Sequence, residues 1–202
     1  MKKQITIAIL YTLLTTVLLG VGYPLAVTAV ARLLFHRQAE GELIVRDGHL
    51  VGSALIGQPF TGPRYFHSRP SAAGTGYDAS ASSGSNLAAS SKALIDRTEA
   101  SVAVEKNGGP VPVDLVTASG SGLDPDITPA AALYQVSRVA AARGLPVQAV
   151  EELVQKHVTE RQFGLLGEPR VNVLELNLAL DALAPNALAP NALTPNALAP
   201  KR

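Results

Sequence analysis

The stretch QITIAILYTLLTTVLLGVGYPLAVTAVA, from Gln4 to Ala31, contains no Asp, Glu, Lys or Arg and directly follows Lys2 and Lys3. About 20 apolar helical residues are enough to cross the hydrocarbon core of a bilayer. The sequence therefore predicts a transmembrane helix over residues 5–34, preceded by a short cytoplasmic start at residues 1–4. Because positive charge before a first span favours the cytoplasmic side, we expect the rest of the chain to lie outside the membrane.

A cleaved signal peptide is the alternative interpretation of this stretch, since Ala29-Val30-Ala31 offers the small residues found at cleavage sites. Signal peptides have apolar regions of about 7 to 15 residues. The apolar run here is much longer, which favours a retained helix. Within it, Gly20, Gly22 and Pro24 predict an irregular point, which is either a tolerated kink or a packing site for a membrane partner.

The composition excludes several classes of function. The 202 residues include 17 Lys+Arg and 16 Asp+Glu for a formal net charge of +1, and the basic residues are scattered, so no nucleic-acid surface is expected. The absence of Cys excludes disulfides, thiolate metal sites and a Cys nucleophile. The four His residues lack metal-ligand spacing, and Gly120-Ser121-Gly122 lacks the spacing of a hydrolase nucleophile elbow. We therefore predict no catalytic residues and no metal site.

Local patterns predict one soluble α+β domain over residues 35–183. Asp47-Gly48 between the apolar runs 42–45 and 49–56 predicts a β-hairpin, because both central residues of the tight turn need positive φ. Residues 86–104 are predicted to be helical. Residues 112–118 are predicted to form a strand, in which Val113, Leu115 and Val116 are apolar.

The clearest soluble helix is predicted between Thr128-Pro129 and Gly144, since Thr is a good N-cap, Pro suits the first helical position and Gly suits the C′ position. We expect Arg138 and Arg143 to face solvent. The apolar face of this helix comprises Leu133, Val136 and Ala140. A second helix is predicted after Pro146, where Val recurs at 147, 150 and 154.

Residues 172–183 fit two interpretations. Leu alternates as in a strand at 174, 176, 178 and 180, but Asn172 followed by Glu175 is typical of a capped helix start. Leu and Ala favour helix, so we predict a helix here. The following residues 184–202 repeat Pro-Asn-Ala-Leu three times, and this low-complexity composition predicts a disordered tail.

The long stretch 57–91 lacks periodicity and is rich in Gly, Ser, Ala and Pro. Such a stretch inside a domain is usually functional or disordered, and its aromatic and Arg content favours an ordered loop. Its large side chains are either a local core or an interaction surface. The interaction-loop candidates are Gln58, Phe60, Arg64, Tyr65, Phe66 and Arg69.

Two Ser/Gly segments have the context of a phosphate-binding loop, in which backbone N–H groups face an anion at the start of a helix. Neither has the complete glycine pattern or the lysine of a Walker motif, so an ordinary turn is the alternative for each. The nucleotide-contact candidates are Ser82, Gly84, Ser85 and Asn86 in the first segment, and Ser119, Gly120, Ser121 and Gly122 in the second.

Several strings in a fixed order give the chain a family resemblance over residues 5–183. They are 52–58 with Phe60, then 65–66, 69–72, 82–87, 119–125, 138–140 and 168–177. In this order behind one N-terminal span, the chain resembles the C subunit family of the Kdp high-affinity potassium-transporting ATPase.

The resemblance implies a non-catalytic, single-pass subunit of a bacterial inner-membrane complex. The orientation expected from Lys2 and Lys3 then places the soluble domain in the periplasm. The implied partners are a channel-like potassium-conducting subunit, a P-type ATPase subunit and a small peptide subunit, besides the lipid. The family role is that of a catalytic chaperone that raises the ATP affinity of the hydrolysing subunit. No permanently bound cofactor is implied, and ATP is engaged through the complex.

The expected orientation separates the soluble domain from cytoplasmic ATP, because one helix cannot carry an exterior loop across the membrane. Either the orientation differs, or the influence on ATP passes through helix packing and a conformational equilibrium. An independent membrane-anchored binding domain is the alternative function.

Overall fold

The computed structural model describes residues 1–46 and 48–183. In it, the apolar N-terminal stretch is helical from Lys2 to Leu34. Its most apolar 18-residue window has a mean hydropathy of 2.1, and by length and composition the helix is able to cross a membrane. At 1.5 Å per residue its 33 residues extend about 50 Å, which exceeds the roughly 30 Å of the hydrocarbon core. The chain divides into two units, Met1–Leu43 and Ile44–Arg202.

The predicted irregular point in the apolar helix is confirmed. Helix α1 (Lys2–Val17) passes into a π-helical turn at Leu18–Gly22, and α2 (Tyr23–Leu34) follows with Pro24 in its first turn. Pro24 has no N–H for the carbonyl one turn earlier, so the regular hydrogen-bond ladder is interrupted where the two glycines lie. A short helix α3 (His36–Ala39) ends this unit.

The predicted hairpin is also confirmed. Strands β1 (Leu43–Arg46) and β2 (His49–Ser53) form a two-stranded sheet. Gly48 has φ +76°, as the tight turn requires. Asp47 lies outside the described residues, and so does the predicted tail at 184–202.

A small antiparallel sheet lies under the helices of the second unit. Its strands are β3 (Asp126–Ile127), β4 (Val158–Thr159) and β5 (Arg170–Asn172), in the order β3–β5–β4. Val171 of the central strand lies opposite Ile127 on one side and Val158 on the other. Val171 is fully buried, so the sheet is centred on the hydrophobic core.

Three helices contribute most of the other core residues: α5 (Pro129–Arg143), α6 (Val147–Lys156) and α7 (Val173–Leu183). The predicted caps of α5 are confirmed, since the Thr128 hydroxyl accepts a hydrogen bond from Ala131 N–H and Gly144 has φ +67°. In α6, the second and third Val of the predicted series are buried, whereas Val147 is half exposed. The core therefore combines a helical layer with a small sheet, in agreement with the mixed helix and sheet prediction.

The helix prediction for residues 172–183 is confirmed from Val173 onward. Asn172 ends strand β5, and its side-chain oxygen accepts the N–H of Glu175 at 3.1 Å. This is the predicted capping pair. The buried apolar residues of α7 are Val173, Leu174, Leu176, Leu178 and Leu180.

The predicted strand at 112–118 is wrong, and the predicted start of the helix at 86–104 is too early. Residues 112–118 form a single 3-10 turn at Val113–Leu115, not a strand, because the Asp114 carboxylate accepts the Thr128 N–H and folds the segment back onto the start of α5. Helix α4 spans Lys92–Glu105 and begins later than predicted. Asn86 has φ +49°, which is incompatible with a helix starting there.

The prediction that Arg138 and Arg143 face solvent is wrong for Arg143, whereas Arg138 is half-buried. The Arg143 side chain is 1% exposed and lies 2.7 Å from the carboxylate of Asp181, which is 3% exposed. Arg138 donates to the carbonyl oxygens of Pro63 and Tyr65 at 2.8 and 3.1 Å. Both arginines bind groups that are distant in sequence, and a helical pattern alone does not contain that information.

Removing one partner of the buried ion pair is expected to lower the free energy of unfolding more than removing both partners. Asp181→Asn leaves the Arg143 guanidinium buried without its counter-charge, and we expect the free energy of unfolding to fall by about 3 kcal/mol. The double variant Arg143→Met/Asp181→Leu removes both charges, and we expect it to be more stable than the single variant. The measurement is urea unfolding of the full chain in detergent, followed by near-ultraviolet circular dichroism of tyrosine.

The matched control is Lys92→Gln, which breaks the exposed pair between Lys92 and Asp96. Exposed pairs contribute about 0–1 kcal/mol, so this variant is expected to unfold almost as the parent does. Equal destabilisation by Asp181→Asn and Lys92→Gln would contradict the importance of the buried pair.

Candidate functional site

The loop that contains the interaction-loop candidates is held by polar side chains from two core helices. Asn177 of α7 accepts the Phe66 N–H at 2.9 Å and donates to the Phe66 carbonyl at 3.0 Å. Gln135 of α5 accepts the His67 N–H at 2.7 Å and donates to the His67 carbonyl at 3.3 Å. Each amide side chain thus satisfies both backbone groups of one loop residue, as a neighbouring strand would.

The same loop contacts the buried ion pair. The Tyr65 hydroxyl donates to Asp181 at 3.4 Å, and the Arg143 guanidinium lies 4.7 Å from the centre of the Tyr65 ring. Arg143 also donates to the Arg64 carbonyl at 2.7 Å. Burial raises the pKa of Tyr65, and the Asp181 carboxylate acts in the same direction. The tyrosine therefore remains a neutral hydrogen-bond donor to this carboxylate. We call Gln135, Arg143, Asn177 and Asp181 the polar clamp.

The structure places the three aromatic interaction-loop candidates in the core, which was the first of the two alternatives. Phe60 and Tyr65 are 7% and 8% exposed and Phe66 is fully buried. Two of the three polar candidates support the same loop, since Gln58 donates to the Val51 carbonyl and Arg69 forms an ion pair with Asp124 at 2.9 Å. These side chains fix the loop against the domain. Arg64 is half-buried.

The two Ser/Gly segments are far apart in sequence, but the structure brings them into direct contact. The Ser83 N–H donates to the Ser121 carbonyl at 2.9 Å, and the Ser82 hydroxyl donates to the same carbonyl at 3.0 Å. The Ser119 and Ser121 hydroxyl oxygens lie 3.4 Å apart. Segment 82–86 and segment 119–122 thus form one paired structure, which we call the Ser/Gly seam.

Close packing of backbone explains the glycines in the seam. A Cβ on Gly122 would lie 2.6 Å from the Ser83 carbonyl oxygen and 2.7 Å from the Ala73 nitrogen, and Gly122 has φ +67°. A Cβ on Gly84 would lie 3.0 Å from the Gly120 carbonyl oxygen. Gly120 itself has open space around it. Two of the three glycines are therefore required for approach of one segment to the other.

The outer part of the seam is accessible. Asn86, Gly120 and Ser121 are exposed, whereas Ser85 is half-buried and Ser119 is buried. The Ser121 hydroxyl accepts the Leu123 N–H, and the Ser119 carbonyl accepts the Gly122 N–H. Some of the hydrogen-bonding groups that would have to face a nucleotide phosphate are thus already bonded within the seam.

A second polar cluster lies beside the loop and was not identified from the sequence. His67 Nδ1 lies 2.6 Å from a Glu105 carboxylate oxygen, and His67 Nε2 lies 3.1 Å from the Gly62 carbonyl oxygen. The Tyr77 hydroxyl donates to the Arg69 carbonyl at 2.6 Å. Burial raises the pKa of Tyr77 to about 12, and the Glu105 carboxylate acts in the same direction. The cluster connects the end of α4 to the loop.

These arrangements hold the chain in place and do not assemble a nucleophile with a base. The His67 Nδ1 contacts Glu105 and its Nε2 contacts the Gly62 carbonyl. The Ser121 hydroxyl accepts a hydrogen bond from the Leu123 N–H. Among residues 1–46 and 48–183, no group of three or more His, Cys, Asp or Glu side chains is placed to hold a metal ion.

Comparison with known proteins identifies the family. The family model described as "KdpC: K+-transporting ATPase, c chain" matches residues 5–182, which include the apolar helix and the domain. The chain belongs to the KdpC family. The resemblance drawn from the sequence motifs is thereby confirmed.

Individual KdpC relatives match over nearly their full lengths. A potassium-transporting ATPase KdpC subunit from Acidobacterium capsulatum is 62% identical over 177 residues, which cover 87% of this chain and 96% of the relative. The KdpC subunit from Koribacter versatilis is 54% identical over 188 residues, covering 92% and 97%. The KdpC subunit from Methylococcus capsulatus is 57% identical over 182 residues, covering 87% and 96%.

The polar clamp was missed by sequence reasoning, although one signal for it exists. Asn177 and Asp181 are four residues apart within the Leu-rich helix α7, so they share one helical face with apolar neighbours. Polar residues on an apolar face must find buried partners. That spacing predicts a buried polar contact but does not reveal its partners, because Phe66 lies 111 residues away.

The Ser/Gly seam predicts different effects for two neighbouring glycines. Gly122→Ala adds a Cβ against two backbone atoms at a positive φ, and we expect it to lower the free energy of unfolding by about 2 kcal/mol or more. Gly120→Ala is the matched control, and it is expected to change the free energy by no more than about 0.5 kcal/mol. Urea unfolding of the full chain in detergent measures both. Equal stability of the two variants would contradict the close packing of the seam.

Proposed function

We propose that this chain is the non-catalytic accessory subunit of an ATP-driven, high-affinity potassium transport complex in a bacterial inner membrane. In this proposal it stabilises the assembly of a channel-like subunit, a P-type ATPase subunit and a small peptide subunit. It also raises the affinity of the hydrolysing subunit for ATP during potassium import. The main support is the KdpC match, which extends over both the apolar helix and the domain.

The geometry of the domain supports an indirect influence on ATP. The polar clamp and the Ser/Gly seam pair polar groups with one another, so these residues stabilise a shape. A domain of fixed shape changes a distant affinity by binding one conformation of its partner more tightly than another. The chain thus acts on ATP binding through the conformational equilibrium of the complex.

The expected orientation supports the same route. Lys2 and Lys3 precede the single apolar helix, which favours a cytoplasmic N-terminus and a periplasmic domain. With this orientation, the signal from the domain to the nucleotide passes through the helix and its packing. The π-helical turn at Leu18–Gly22 is the irregular point of this helix, and its glycines allow close contact with a neighbouring helix.

The experiment compares the ATP dependence of potassium-stimulated ATPase activity in purified complexes. Complexes that lack this chain are expected to show a KM for ATP raised about tenfold, equivalent to about 1.4 kcal/mol. Complexes that contain Ser85→Ala/Ser121→Ala are expected to keep the parental KM within about twofold, because these hydroxyls do not touch the nucleotide. An unchanged KM without the chain would contradict the role in ATP affinity. A tenfold rise in the intact Ser variant would contradict the indirect route.

Cysteine labelling provides the control for orientation, since the native chain has no Cys. Ser90→Cys on the exposed loop is expected to react with a membrane-impermeant maleimide applied to spheroplasts. Gln4→Cys is expected to react only after the membrane is opened. The reverse labelling pattern would place the domain on the cytoplasmic side, where direct contact with ATP is possible, and would contradict the indirect route.

A further inference from the structure

A groove of about 350 Å³ lies between helix α4 and the loop that the polar clamp holds. Sites for small molecules have volumes of roughly 300–1,000 Å³, so this groove is large enough for a small ligand. Its walls come from the loop, from α4 and from the 3-10 turn. We call it the α4 groove, and the residues that line it include Phe60, His67, Arg97, Ser101, Glu105 and Leu115.

Arg97 brings to the groove a buried donor without an acceptor. Its Nε is enclosed, and it has no hydrogen-bond partner among the described residues. Buried polar atoms in native proteins are nearly always paired, and an unpaired one indicates strain or a group that the site takes up. Since the guanidinium is permanently charged and only donates, the group that it lacks is an oxygen acceptor, and an anionic one suits it best.

The other two ionisable side chains of the groove are already engaged with each other. His67 Nε2 faces the Gly62 carbonyl, which only accepts, and His67 Nδ1 lies 2.6 Å from a Glu105 oxygen, so a proton lies between these two atoms. Whichever atom carries that proton, the pair is neutral overall. No further ionisable side chain lines the described groove, so Arg97 gives it one net positive charge.

We propose that the α4 groove binds a small organic monocarboxylate. The carboxylate lies on the Arg97 guanidinium, and the apolar part of the ligand lies against Phe60 and Leu115. A carboxylate is planar and accepts two parallel N–H bonds from one edge of a guanidinium, an edge that includes Nε. Its single negative charge matches the single net positive charge of the groove.

The same charges disfavour a dianion such as a phosphate. A second negative charge would lie close to the Glu105 carboxylate without a further cation in the groove to balance it. The apolar walls offer nothing to the remaining phosphate oxygens, whereas they suit the hydrocarbon part of an organic acid. The carboxylate is therefore the anion that fits both the charge and the walls.

Binding includes a movement of Arg97. Because Nε is enclosed, a ligand oxygen reaches it only when the guanidinium turns toward the groove. Arg97, Ser101 and Glu105 share one face of α4, since they are spaced four residues apart. Glu105, at the far end of this face, is tied to the domain by His67 and by the Tyr134 hydroxyl, which donates to its carbonyl at 3.2 Å. A ligand on Arg97 adds a second link between α4 and the loop, two turns earlier.

The first test measures the binding of benzoate to the purified full chain in detergent by calorimetry. Benzoate is expected to bind with a Kd of about 1 mM, as suits a small ligand with one charge-assisted contact. Benzyl alcohol, which has the same ring without the charge, and inorganic phosphate are expected to bind at least about tenfold more weakly. Equal binding of benzoate and benzyl alcohol would show that Arg97 takes up only water, and equal binding of phosphate would contradict the monocarboxylate; either result would overturn the proposal.

A matched pair of variants on α4 tests the role of Arg97. Arg97→Gln is expected to weaken benzoate binding at least about tenfold. Lys92→Gln removes the same charge from the exposed Lys92–Asp96 pair, outside the groove, and is expected to leave the binding unchanged. Equal losses in the two variants would reduce the effect to long-range charge and contradict the site. Because Arg97→Gln removes an unpaired buried donor, its urea midpoint without ligand is expected to stay the same or rise; a lower midpoint with unchanged benzoate binding would assign Arg97 to the fold only.

Nuclear magnetic resonance of the arginine Nε–H groups locates the ligand. The Arg97 signal, assigned by its loss in Arg97→Lys, is expected to shift on addition of benzoate and to exchange more slowly with solvent. An unchanged signal at saturating benzoate would show that the ligand binds elsewhere and would overturn the proposal. Loss of benzoate binding when the chain is assembled with its transport partners would show that a protein group fills the groove, and it would overturn the small-molecule assignment. The first three measurements use this chain alone, so they succeed or fail independently of the accessory role.

Discussion

The fold of the domain depends on four buried polar side chains that hold one irregular loop. Residues 54–91 contain no helix or strand, yet their backbone groups require partners as those of any buried segment do. Asn177 and Gln135 bond both backbone groups of Phe66 and His67, and the Arg143–Asp181 pair lies against Tyr65. This polar clamp allows a Gly- and Ser-rich segment to place Phe60, Tyr65 and Phe66 in the core without regular secondary structure.

The elements that depend on local chemistry could be predicted from the sequence. The apolar helix, its irregular point, the hairpin at Gly48 and the caps of α5 and α7 follow from residues that are close in the chain. The polar clamp could not be predicted, because its partners are separated by 38 to 116 residues. Arg143 illustrates the difficulty, since a charged residue in the last turn of a helix normally faces solvent. Its burial becomes intelligible only when Asp181 and Tyr65 are adjacent.

The candidate functional residues divide in a similar way. The sequence identified both Ser/Gly segments as unusual, and the structure adds that they contact each other. In the sequence each resembles a separate phosphate loop, because sequence spacing does not show that Gly122 packs against Ser83. The exposed apolar turn at Phe163, Leu165 and Leu166 could not be predicted either. Its residues look like core residues in a sequence, and only the structure shows that their side chains are exposed.

The polar clamp, rather than a secondary-structure ladder, holds the loop. Amide hydrogen exchange of the full chain in detergent tests it most directly at Phe66 and His67, whose N–H groups are bound by Asn177 and Gln135. These amides are expected to be protected to the same degree as those of α5 and α7. In Asn177→Ala, the protection of Phe66 is expected to be lost while that of α5 remains. Rapid exchange of both amides in the unmodified chain, at the rate of the exposed residues 86–90, would contradict it.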